Sequence, residues 1–237
     1  MSPERVDYAG IVSRLDGVRQ RIGAAAKRAR REPGGVKLVV VTKDVGSDRA
    51  AAALDAGAFD LGENRAQELA AKMEALDRRA VKPRWHFIGT LQRNKVKTVV
   101  GAVELIHSID SVPLGLAVAA RAQELRITQA ALLEVNTSGE PTKHGFDPAA
   151  AADALGALGG VPGLRIRGLM TIAPAGAAAV ARGAFAALRE LRDDLGGSLY
   201  GGDLQELSMG MTSDFEEAIE EGATIVRVGT AIFGARR

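Results

Sequence analysis

Two rhythms alternate along this chain. Short apolar runs of strand length, such as Lys37-Leu38-Val39-Val40-Val41-Thr42, are separated by longer stretches whose apolar residues recur at helical spacing. β-Branched runs of this kind suit strands buried on both faces. The pattern predicts strands at 37–42, 58–61, 84–88, 103–107, 131–136, 165–170, 204–208 and 224–228. Helices are predicted between them at about 47–56, 64–77, 92–100, 112–125, 148–158, 177–195 and 213–221. Ahead of the alternation, Val6, Ile11, Val12, Leu15, Val18 and Ile22 mark one face of a helix over 4–31, and Pro33-Gly34-Gly35 stops it.

Strands alternating with helices imply βαβ units and a parallel sheet. Eight of them at this length give an α/β fold of one domain, a (β/α)8 TIM barrel over 1–237 with few insertions. After the last predicted strand come only Gly229, Thr230-Ala231-Ile232-Phe233-Gly234 and three more residues. The leading segment, 1–33, is therefore expected to fill the vacant seat in the outer ring. Gly196-Gly197 and Gly201-Gly202 read as a flexible loop before the seventh strand.

Composition narrows the function classes. The 31 basic and 29 acidic residues leave a formal charge of +2, so no broad field for nucleic acid is implied. No window approaches 18 uninterrupted apolar residues, and no signal segment opens the chain. A soluble, cytoplasmic protein without a membrane partner is expected, and a monomer. Having no cysteine excludes disulfides, thiolate metal sites and a cysteine nucleophile. The basic end of the first helix (Arg19, Arg21, Lys27, Arg28, Arg30, Arg31) suits the helix dipole better than an anionic partner.

The chemistry collects at the C-terminal ends of the strands, where barrel enzymes build their sites. Lys43 closes the first strand. There an amine is either desolvated, as a Schiff-base lysine requires, or simply reaches solvent. Ser208, Gly210, Gly229 and Thr230, after strands seven and eight, read as a phosphate cup of small residues that let backbone N–H groups close around an anion. Arg227 shares strand parity with Ile225 and Gly229 and is expected inside the barrel. Its partner there is either a core carboxylate or a ligand acceptor such as a pyridine nitrogen. His86, His107 and His144 lack any metal-site spacing, so no metal is expected. Asp60, Glu63, His86 and Asn136 read as supporting hydrogen-bonders.

Five segments, in order, carry a resemblance: Leu61-Gly62-Glu63-Asn64, Trp85-His86-Phe87-Ile88-Gly89 with Leu91-Gln92 and Asn94-Lys95, Arg167-Gly168-Leu169-Met170, Leu207-Ser208-Met209-Gly210-Met211, and Val226 through Gly234. On these the chain resembles the YggS/PROSC family of pyridoxal-phosphate-binding proteins, the PLP homeostasis proteins, whose barrel is alanine-racemase-like. The resemblance implies pyridoxal 5′-phosphate (PLP) as cofactor, with Lys43 as its Schiff-base lysine. Ser208, Gly229 and Thr230 would hold the phosphate, Arg227 would face the ring nitrogen, and Asn64 and Met209 would lie near the ring. Two departures stand out: Thr90 where a proline is usual, and Asp44-Val45-Gly46 in place of a Lys/Thr-rich, proline-containing segment.

The resemblance implies a carrier that buffers or delivers PLP, with PLP-dependent apo-enzymes as recipients and no catalytic residue assigned. The alternative is a fold-type III PLP enzyme such as an amino-acid racemase. Racemisation needs a base on each face of the substrate. The two tyrosines, Tyr8 and Tyr200, fall outside every motif, which favours the carrier. A sugar-phosphate barrel enzyme would explain the phosphate cup but not the full motif set.

Overall fold

The first strand forms where sequence and burial agree most closely. β1 (Lys37–Val41) sends Val40 outward to the helix layer and Val39 inward, both fully buried. In the computed structural model, which describes residues 6–140, 143–174, 176–196 and 204–234, seven more strands follow. They are β2 (Asp60–Glu63), β3 (Arg84–Phe87), β4 (Leu105–Ile109), β5 (Gln129–Glu134), β6 (Leu164–Met170), β7 (Glu206–Ser208) and β8 (Ile225–Val228). All pair in parallel and in sequence order, and β8 closes on β1 with Lys37 opposite Ile225 and Val40 opposite Val228. The expected barrel is what forms.

Helices α2 (Ser47–Asp55), α3 (Ala66–Leu76), α4 (Val96–Val99), α5 (Val112–Glu124), α6 (Ala151–Leu158), α7 (Ala178–Gly196) and α8 (Phe215–Glu220) separate the strands. A single turn, α9 (Thr230–Phe233), follows β8. The predicted 92–100 helix shrinks to a 3-10 turn, Arg93–Lys95, plus the four-residue α4. Its first half, Gln92-Arg93-Asn94-Lys95, has no apolar face to bury, and Gly101 at φ +85° ends it. Strands β2 and β4 begin two residues later than expected, and β5 begins two residues earlier. At β5 the Gln129 side chain is buried and ties the strand to its neighbour, accepting from Gly101 N–H and donating to the Val103 carbonyl. Apolarity alone could not place a glutamine in that strand. The glycines at 197, 201 and 202, and Tyr200, lie outside the described residues.

The leading helix, α1 (Tyr8–Arg28), packs against α8, α9 and α2. Ile11, Leu15, Val18 and Ile22 are buried along its inner face. Its arginines do more than answer the helix dipole. Arg21 and Arg28 pair with Glu216 and Glu220 of α8 at 2.9 and 2.8 Å, and Arg31 donates to the Ile219 carbonyl at 2.7 Å. Arg14 donates to the Ile232 carbonyl of α9, and Arg19 to the Gly57 carbonyl beyond α2. The exposed ion pairs contribute little each, on the order of 0–1 kcal/mol, so the buried apolar face carries the docking. Among the described residues no helix is long and apolar enough to cross a membrane.

Because Leu15 is fully buried, Leu15→Ala is expected to destabilise the whole protein by about 2–5 kcal/mol. Urea unfolding followed by circular dichroism should show one transition at lower urea. An unchanged midpoint would mean that α1 is an appendage.

Candidate functional site

Strand alternation sorts the polar residues of the barrel into lumen and exterior. Val39, Leu105, Leu132, Met170 and Ile225 form an apolar layer inside, with Ala130 against it. Through the same lumen runs a chain of polar side chains. Arg84 holds both oxygens of Asp60, Nε to Oδ1 at 2.9 Å and Nη2 to Oδ2 at 2.6 Å. Asp60 Oδ1 meets His86 Nε2 at 3.1 Å, and His86 Nδ1 meets His107 Nε2 at 2.9 Å. His107 Nδ1 meets Ser208 Oγ at 2.8 Å, and Ser208 Oγ accepts from Arg227 Nη1 at 2.6 Å. Arg227 Nη2 donates to the Thr171 carbonyl at 2.9 Å. Arg227, expected inside, is 4% exposed and has no described carboxylate in ion-pair contact.

Burial decides the charges here. It works against ionisation of Asp60, yet the bonds from Arg84 and His86 outweigh it and hold that carboxyl well below the usual range. It pushes His107 well below its ordinary value, with the charges of His86, Arg227 and Lys37 adding to the effect. It lowers Arg227 to about 10, partly offset by Glu134 and Asp214. His107 is thus neutral and Arg227 still cationic at pH 7.

At the C-terminal mouth lie the residues expected to bind a ligand. Lys43 stands in the turn after β1, half-buried, and its amine has no partner among the described residues. The neighbouring Asp44 turns elsewhere, its N–H donated to Glu68 and its carboxylate 3.9 Å from Arg65. Asn64 follows β2, and its Oδ1 is buried without a hydrogen-bond partner. Thr90 is exposed. Beyond β7 and β8, the backbone N–H groups of Gly210, Gly229 and Thr230 donate to no described residue. Gly210, at φ +91°, has Phe215 Cα 2.9 Å from where a Cβ would stand, and at Gly229 the Val41 carbonyl is equally close. Larger residues there would prise these loops from the barrel. Met209 differs: its side chain is fully buried in the large apolar cluster rather than the lumen layer, and its N–H goes to the Ile225 carbonyl.

The supporting residues fall outside this set. Glu63 faces the helix layer, where Oε1 takes bonds from Thr42 and Lys72, both at 2.5 Å. Burial nonetheless raises its carboxyl, against the pull of those two partners. Asn136 organises its own loop, donating to the Glu140 carbonyl and accepting from Ser138. His144 is exposed, 3.9 Å from Asp110. No metal-holding group of His, Asp or Glu exists among the described residues. At the opposite end of the barrel, α1 and the first two strands enclose a recess of about 290 Å³, lined in part by Arg19, Val36, Phe59 and Asp60 and by none of the mouth residues.

Glu134 is the mouth residue that motif reading passed over. It ends β5 on the parity of Ala130 and Leu132, is 6% exposed, and its carboxylate makes no hydrogen bond with a described residue. Burial, reinforced by the charge of Asp110, pushes its carboxyl up to about 7, while Arg227 and His144 pull the other way. A strand-end glutamate in step with two lumen residues was the available signal.

This arrangement has relatives. The family described as alanine racemase, N-terminal domain, matches residues 14–237. A pyridoxal phosphate homeostasis protein from Aquifex aeolicus is 44% identical over 225 residues, covering 94% of this chain and 97% of the relative. The protein of that name from Pseudomonas aeruginosa is 40% identical over 231 residues, covering 95% and 96%. The chain belongs to the pyridoxal phosphate homeostasis protein family. Among solved members, PipY of Synechococcus elongatus with PLP bound superposes at a TM-score of 0.84, with 36% identity over 94% of this chain and 100% of PipY. Alanine racemase from Corynebacterium glutamicum, at 16% identity and a TM-score of 0.72, shares the fold; the match covers 98% of this chain and 62% of the racemase.

The mouth of this family member suits a phosphorylated aldehyde. Free backbone N–H groups fit an anion, a buried amide oxygen without a partner fits a polar ring substituent, and an unengaged amine fits a carbonyl.

Glu134 makes a pH-dependent prediction. Its folded value lies above its unfolded one, so its contribution is most favourable below about pH 4.5 and is lost as pH rises through about 7. Glu134→Gln should therefore gain on the wild type by about 2–3 kcal/mol between pH 5 and pH 8. Urea unfolding at both values measures it, and a pH-independent difference would contradict the assigned burial effect.

Proposed function

We propose that this protein binds pyridoxal 5′-phosphate at the C-terminal mouth of its barrel and serves PLP homeostasis by buffering or delivering the cofactor. The observation that carries this is the pairing of the unengaged Lys43 amine with the free N–H groups of Gly210, Gly229 and Thr230, in a chain whose family relatives bear that name. The whole chain acts as one cofactor-binding domain in the cytoplasm, as a monomer, with PLP-dependent apo-enzymes as recipients.

The geometry supports the following roles. Lys43 supplies the amine for a Schiff base. The phosphate is taken up by the loops after β7 and β8; α9 is a single turn, too short for a useful dipole, so the donors are its free N–H and those of the glycines. Met209 keeps Ser208 and Gly210 in place by packing its side chain outside the lumen. Asn64 Oδ1 would meet a polar group of the ring. Arg227, with two N–H groups already engaged, would turn the remainder of its fork to the ring nitrogen. Bound PLP supplies an aldehyde and an electron-withdrawing ring. A permanent cation donating to that ring nitrogen keeps a proton off it and weakens the withdrawal, which suits a carrier.

One observation favours the alternative of a fold-type III enzyme such as a racemase. Glu134 is a carboxyl poised near neutrality in the mouth, the property of a general acid–base group. The two readings separate on turnover.

Protein purified with PLP is expected to carry cofactor fixed to Lys43 after borohydride, located by peptide mass mapping, and Lys43→Ala should lose it. Fixation mainly at Lys95 or Lys143 would overturn the assignment. With alanine or serine in deuterium oxide, Cα exchange and racemisation are expected to stay far below a typical enzymatic rate of about 10 s⁻¹. Turnover near that rate, lost in Lys43→Ala and reduced in Glu134→Gln, would instead establish the enzyme.

A further inference from the structure

With both histidines neutral, the polar chain through the lumen has only one consistent order of protons. Asp60 is an acceptor, held by Arg84, so His86 must present a hydrogen from Nε2. A singly protonated His86 then offers a bare Nδ1, and His107 must donate to it from Nε2. That leaves His107 Nδ1 bare, facing Ser208 Oγ at 2.8 Å, and the hydroxyl must donate. Ser208 is left with lone pairs, one of which takes Arg227 Nη1. The reverse order would set a bare His86 Nε2 against an ionised Asp60. The links span β2, β3, β4, β7 and β8, so the order imposed at the start of β2 is delivered across the lumen.

We propose that Asp60, His86 and His107 are positioning residues that commit the Ser208 hydroxyl proton to His107, so that Ser208 serves as the acceptor that aims Arg227 and not as a phosphate donor. The second half rests on the cofactor site proposed above; the first half does not. Burial agrees with it, since a neutral His107 is what the lumen enforces. Ser208 is fully buried between His107 and Arg227, whereas the N–H groups of Gly210, Gly229 and Thr230 donate to no described residue. The charged groups facing the chain are Asp60 and Arg84 at one end, Lys37 beside His107, and Arg227, with Glu134 near it, at the other.

The proton order is tested first on wild-type protein without cofactor, by nitrogen-15 NMR of the histidine rings. At pH 7, His86 and His107 are expected to show a protonated Nε2 and an unprotonated Nδ1, with exposed His144 as an internal reference. A proton on His107 Nδ1 would overturn the proposal. Asp60→Asn, whose amide can donate or accept, is expected to mix the tautomers of His107; retention of the wild-type pattern would show that Asp60 does not set the order. If that variant does not fold, the wild-type spectrum still decides the order.

Ligand binding is read separately. Ser208→Ala, which leaves the chain from His107 to Asp60 intact, should weaken PLP and unphosphorylated pyridoxal by the same factor, about tenfold. A loss confined to PLP would make Ser208 a phosphate donor and overturn its assigned role. Failure of both ligands to bind the wild type would refute the cofactor site and leave the proton order standing on the NMR result.

Discussion

A polar side chain pointing into a closed barrel can find a partner only across the lumen. Eight parallel strands leave no free edge, and the helices outside cover the other face. That constraint organises this molecule. Asp60, His86, His107, Ser208 and Arg227 are all buried, and each is satisfied by the next. Deleting a member in the middle would strand its neighbours, and an unsatisfied buried group costs more than a made bond returns.

The two ends of the barrel are treated differently. At the N-terminal end, two carboxylates are partnered: Asp60 with Arg84, and Glu206 with Arg167 and the Thr224 hydroxyl. At the C-terminal end, the Lys43 amine, the Asn64 amide oxygen, the Glu134 carboxylate and three backbone N–H groups have no described partner. Stability concentrated at one end and unmet hydrogen-bonding capacity at the other is the usual division of labour in this fold. Arg227 links the two, as the last member of the satisfied chain and the first donor at the mouth.

The chemistry open to such a mouth depends on which groups can move a proton. Lys43 and Glu134 are the candidates, since His107 is enclosed and both its ring nitrogens are in hydrogen-bond contact, with His86 and Ser208. No tyrosine or cysteine stands at any described strand end, so Glu134 is the side chain there that could act as a second acid–base group. In the proposed binding mode Arg227 would lie near the cofactor ring and restrain what the pair could accomplish, as a site that retains a reactive aldehyde without processing it requires.

The amino-acid sequence by itself determined the barrel, because alternation and run length are local properties that eight strands repeat. It determined the strand-end chemistry too: a lysine after the first strand, small residues after the last two, and an arginine on an inward parity. Burial of polar side chains was harder to read. Gln129 opens a strand and Glu134 ends one because of partners and neighbours on other elements, which a polarity pattern cannot register. The arginines of α1 likewise looked like a response to the helix's own dipole, and only packing showed them reaching α8, α9 and the end of α2. His86 and His107 carried no spacing that pointed to each other, being 21 residues apart. Barrel closure brought a nitrogen of each ring to 2.9 Å and joined them to Ser208, 101 residues further on. Hydrogen-bond partners at that separation are decided by register between strands, and register exists only once the sheet has closed.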